Sequence, residues 1–98
     1  MPRARKSTPQ TTELAAMGWA IETLMARRPG TTQQDVAQAA SMDNKQISRY
    51  VCGRIAPNYL NMLRLCDGLH ATPVELMALI QEFKARDAAA ARALGAVS

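Results

Sequence analysis

Residues Thr32 to Arg54 read TQQDVAQAASMDNKQISRYVCGR, two short helical patterns joined by a break of three residues. Val36, Ala37 and Ala40 give the first pattern one apolar face at helical spacing, and Ile47, Tyr50 and Val51 do the same for the second. The link Ser41-Met42-Asp43 has room only for a tight corner. Both helices carry start signals. Thr32 can accept from the open amides of a first turn, with acidic Asp35 three residues on. Asp43 followed by Gln46 repeats that spacing, close to a capping box. Opposite the apolar stripe of the second pattern stand Asn44, Lys45, Ser48 and Arg49. Amide, hydroxyl and cationic side chains hydrogen-bond base edges and phosphates, so this face predicts a reader of duplex DNA.

Composition supports a small helical domain. The chain has 98 residues, 48% of them hydrophobic, and only four are aromatic, so the core must be aliphatic. A domain this small is marginal alone, and association is a common remedy. The net charge is +4, but its placement says more: Asn44 through Cys66 holds Lys45, Arg49, Arg54 and Arg64 and no acid at all. Arg3, Arg5 and Lys6 make the N-terminus basic as well. Clustered cations are the footprint for a polyanion. No apolar run approaches the roughly 20 residues of a membrane span, nor does the N-terminus carry the apolar stretch of a leader, which predicts a cytoplasmic protein.

Two cysteines are too few for a disulfide scaffold. A zinc site could recruit Cys52, Cys66 and His70, but it lacks a fourth ligand and a paired Cys-x-x-Cys, so no metal is expected. Cys66 falls on an apolar stripe and reads as a small core residue. The sole histidine has no nucleophile or carboxylate constellation around it, and no glycine-rich phosphate loop appears. Neither an enzyme nor a cofactor is expected.

Along the rest of the chain, residues 1–11 read as a flexible basic arm, either lying along DNA or merely disordered. The first helix is expected from about Thr12 to Arg28, stopped by Pro29-Gly30. Its stripe is Leu14, Met17, Ile21, Leu24 and Met25, with Gly18 permitting a close helix contact and Trp19 at the core edge. Arg27 and Arg28 suit the negative end of that helix or could reach a phosphate. Gly53 ends the third helix, and Asn58 caps a fourth that buries Met62, Leu65, Cys66 and Leu69. His70 stands where a helix ends in a left-handed residue. Thr72-Pro73-Val74-Glu75 is a strong start for a fifth helix. That helix carries Leu76, Met77, Leu79, Ile80 and Phe83, apolar in more directions than one small core needs, which predicts a partner. Residues 84–98 are alanine-rich and expected to continue as a helical extension.

From about Met17 to Ile80 the order of elements resembles the Cro and phage-repressor group of regulators, often called Xre-type. Gln33 opens the second helix and Val36-Ala37 supplies its apolar pair. Ile47-Ser48-Arg49 forms the centre of the third, followed by Gly53, Pro57 and the Leu69 to Leu76 segment. Three positions depart from the group's habit. Ser41 and His70 replace glycines, which predicts some strain at the Ser41 corner. Met25 and Val51 replace an ion pair between the first and third helices with an apolar contact, an exchange that can be neutral or stabilising.

The resemblance implies an all-α, five-helix fold in which residues 12–83 form a helix-turn-helix DNA-binding domain. The third helix would enter the major groove of double-stranded DNA. Asn44, Lys45 and Arg49 would read bases, with Ser48 on a phosphate or thymine methyl. Gln33, Thr32, Gln46, Arg54 and Asn58 would hold the backbone. One such helix covers few base pairs, so a homodimer on a palindromic operator is expected, joined through Leu79, Ile80 and Phe83. The implied protein is a bacterial or phage-encoded transcriptional repressor. Two alternatives are an antitoxin that also binds a toxin protein and a helical protein-interaction module without DNA activity.

Overall fold

Five helices follow one another: α1 (Pro9–Ala26), α2 (Gln33–Ala40), α3 (Asn44–Val51), α4 (Tyr59–Leu69) and α5 (Pro73–Val97). They are seen in a computed structural model that describes residues 9–97, with side chains from Thr11 to Leu94, and no strand occurs among the described residues. The fold is therefore all-α, as the sequence predicts. None of these helices is long and apolar enough to cross a membrane.

α1 begins at Pro9, three residues before the expected Thr12. Proline suits a first helical turn because its missing N–H would have no partner there. Residues 1–8 of the expected arm lie outside the described residues. α1 ends at Ala26 rather than Arg28, because the chain tightens: the Arg28 amide donates to the Met25 carbonyl at 3.0 Å ahead of Pro29. α5 runs without interruption from Pro73 through Val97, so the expected extension is one rod with the helix before it.

Helix ends close by one recurring device, a left-handed residue that lets the next amide reach back. Met42 donates to the Ala37 carbonyl at 2.8 Å, Arg54 to Arg49 at 2.9 Å and Ala71 to Cys66 at 3.0 Å. The left-handed residues are Ser41 (φ 58°), Gly53 (φ 74°) and His70 (φ 56°). Ser41 and His70 adopt this conformation against the steric preference of a side chain, the strain expected at the corner. Helix starts are capped as predicted at Thr32, where its hydroxyl and the Asp35 carboxylate accept each other's amides at 3.1 and 2.9 Å. Thr72 and Glu75 repeat the same reciprocal bonds at 3.1 and 2.8 Å.

α1 packs mainly on α5, and α2 on α4, with α3 resting on α1 and α2. The core collects Ala16, Met17, Ala20, Ile21 and Leu24 of α1 with Val36 and Ala37 of α2, Ile47 and Tyr50 of α3, and Leu65, Cys66 and Leu69 of α4. Burial pushes the Cys66 thiol up, aided by the carboxylates of Asp67 and Glu75. α5 completes the core with Leu76, Leu79 and Ile80. This corrects the expected dimer seam: Leu79 and Ile80 are only 5% and 4% exposed because α1 covers them. Phe83 is half-buried with its ring 5.8 Å from that of Trp19, and Arg86 lies over the indole at 4.9 Å.

Two glycines set the helix crossings. A Cβ on Gly18 would stand 2.4 Å from the Val51 carbonyl oxygen, so α3 sits directly on the α1 backbone. One on Gly68 would stand 2.7 Å from the Val36 carbonyl oxygen, which fixes α4 against α2.

Candidate nucleic-acid interface

α3 is a short, strongly two-sided helix. Ile47 and Tyr50 are buried, Asn44, Lys45 and Arg49 are exposed, and Ser48 is half-buried. Its start is held by Asp43, whose Oδ1 accepts the Lys45 amide at 3.1 Å. The second half of the expected capping box does not form. Gln46 instead donates its Nε2 to the Tyr50 hydroxyl at 2.8 Å, one turn along the same helix. Gln46, expected on the DNA backbone, is half-buried with its amide nitrogen turned toward Tyr50.

Lys45, Ser48, Arg49, Cys52 and Arg54 line one open groove of about 300 Å³. Arg54 reaches it because Gly53 turns the chain back at the end of α3. Three of the five lining residues are cations, and none pairs with a carboxylate among the described residues. A cationic groove one helix wide attracts phosphates, and the exposed donors along it can address base edges. Sequence reasoning missed Cys52 in this groove, although it lies seven residues from Lys45, two helical turns along one face. It is an exposed free thiol.

The other expected backbone contacts flank the groove. Thr32 is exposed at the start of α2, with Gln33 half-buried beside it. The Thr32 hydroxyl accepts the Asp35 amide and retains its proton for an outside acceptor. Asn58 caps α4 through its Oδ1, which accepts the Asn61 amide at 2.8 Å, leaving its NH₂ exposed.

The hydroxyl of Tyr50, a residue that the sequence pattern marks only as part of an apolar stripe, joins α3 to α4. It accepts from Gln46 Nε2 and, at 3.2 Å, from Asn61 Nδ2. The Asn61 bond ties the groove-bearing helix to the next element. No group of three or more metal-ligating side chains converges among the described residues.

The sequence pattern of a family described as a helix-turn-helix domain matches residues 5–79, about three quarters of the chain. No curated protein and no solved structure matches it.

Proposed function

The chain belongs to the helix-turn-helix domain family, and from that premise we propose that it is a sequence-specific DNA-binding transcriptional regulator of the Xre-type, Cro- and phage-repressor-like group. The observation that carries this reading is the α3 groove, with three cations that pair with no carboxylate among the described residues. α3 enters the major groove with Asn44, Lys45 and Arg49 as base readers and Ser48 beside them. Asn can pair with adenine and Lys or Arg with guanine O6 or N7. Thr32, Gln33, Arg54 and Asn58 hold the phosphate backbone. The reading is of a repressor that occludes a promoter, not of an enzyme.

One recognition helix reads only a few base pairs, so the regulator acts as a homodimer on a palindrome with half-sites one helical turn apart. With Leu79 and Ile80 buried, an apolar surface of α5 still open to a second copy is the face formed by Pro73, Val74, Met77, Ala78 and Gln81, around a hollow of about 400 Å³. Val74 is 77% exposed there.

Selection of bound duplexes from a random pool tests the proposal. The expected result is a two-fold symmetric consensus with half-site centres about 34–36 Å apart. A pool that emerges unenriched overturns it.

A further inference from the structure

Cys52 lines two hollows. One is the cationic groove described above, and the other, of about 360 Å³, lies among α1, the end of α3 and α5. Its walls include Trp19 and Glu22 of α1, Val51, Cys52 and Gly53 at the end of α3, and Phe83 of α5. The volume falls in the range of small-molecule sites, roughly 300–1,000 Å³. Trp19 and Phe83 are half-buried, with ring centroids 5.8 Å apart and planes tilted by 44°. The base-reading account makes no use of either ring.

Charge sets this hollow apart from the groove beside it. Three cations line the groove, whereas Glu22 is the one charged residue lining the hollow. Glu22 is exposed and forms no ion pair among the described residues. Arg86, the cation over the indole, meets Glu82 and does not line the hollow. A carboxylate repels phosphates, so the hollow does not extend the DNA-facing surface. A neutral apolar ligand would strip water from Glu22 and return nothing for it. Aromatic faces attract cations, the more so where water is displaced. A positive charge on an apolar body satisfies the rings and the carboxylate together.

We propose that this hollow is a binding site for an organic cation. The charge of the ligand lies beside the Glu22 carboxylate and its apolar body packs against the Trp19 and Phe83 rings. The inference goes beyond the DNA-binding reading and does not depend on it.

The test follows the emission of Trp19, the sole tryptophan, as tetraphenylphosphonium is added to the full chain without DNA. The wild type should give a saturable change. Glu22→Gln should bind about fivefold more weakly, the loss expected of one exposed charge pair. Its side chain is exposed, and thermal melts verify that the variant folds. Tetraphenylborate, of the same shape and opposite charge, should bind far more weakly than the phosphonium. An unsaturable response, equal affinity for Glu22→Gln, or equal binding of the two ions overturns the proposal. So does a probe that splits a dimer in sedimentation, since a second copy of the chain would then be the occupant. No DNA enters the measurement, so failure here leaves the DNA-binding reading standing, and an unenriched duplex pool leaves this site standing.

Discussion

On the α1–α5 side of the molecule, cations are tied to carboxylates. Arg27 lies 3.9 Å from Glu75, Lys84 lies 2.5 Å from Glu13, and Arg86 meets Glu82 one turn away. On the α3–α4 side, Lys45, Arg49, Arg54 and Arg64 meet no carboxylate among the described residues. Arg28 and Arg92 also form no ion pair among the described residues, but each stands apart from that run in the sequence. The difference teaches where charge serves the fold and where it is held for something else. Exposed ion pairs contribute only about 0–1 kcal/mol, so the paired side does not depend on them. The unpaired side bears the mutual repulsion of its cations, which a polyanion would relieve.

The two sides meet where α3 rests on Gly18, and the largest effect is expected there. Gly18→Ala places a methyl 2.4 Å from the Val51 carbonyl oxygen. It should lower stability by about 3 kcal/mol, read by urea denaturation, because backbone must move to admit it. An unchanged midpoint would mean that the two sides are less rigidly joined than the structure has them. Within the unpaired side, Tyr50→Phe removes the hydroxyl that accepts from Gln46 and Asn61. A loss of about 1–2 kcal/mol should follow, since two half-buried amides lose their partner. Sequence preference should relax with it, because α3 is no longer locked to α4.

A smaller change, in the opposite direction, tests the strained ends. His70→Gly relieves a left-handed side chain at φ 56° and should raise stability by about 1 kcal/mol. Smallest of all, Glu13→Gln breaks the exposed pair with Lys84. It should shift stability by less than about 1 kcal/mol and leave DNA affinity nearly untouched. A large loss of binding from Glu13→Gln would erase the contrast between the two sides.

Local signals made most of this legible in the sequence. The corner at Ser41, the caps at Thr32 and Thr72 and the left-handed end at His70 depend on neighbours a few residues away, and each stands where the pattern puts it. Gly18 was legible for the same reason, being a gap in an apolar stripe. What needed three dimensions was less so. Leu79 and Ile80 read as surplus on a helix apolar all round, because the sequence cannot reveal that α1 covers that face. Gly68 looks like any helical glycine until Val36 is found against it. Gln46 satisfied a capping-box spacing, yet Tyr50 one turn along offered a better-placed acceptor. For the candidate site, helical spacing alone predicted that Asn44, Lys45 and Arg49 would stand exposed on one face, and they do. Whether those side chains read bases depends on a ligand, which neither pattern nor packing supplies.

Titration of the wild type, Lys45→Ala and Arg49→Ala against the selected duplex and a scrambled one, at one moderate salt concentration, tests that claim most directly. Each variant should lose about 1–3 kcal/mol on the selected duplex. Each should also discriminate less against the scrambled one, with its melting temperature unchanged. Equal, weak binding of all three proteins to both duplexes would contradict the account.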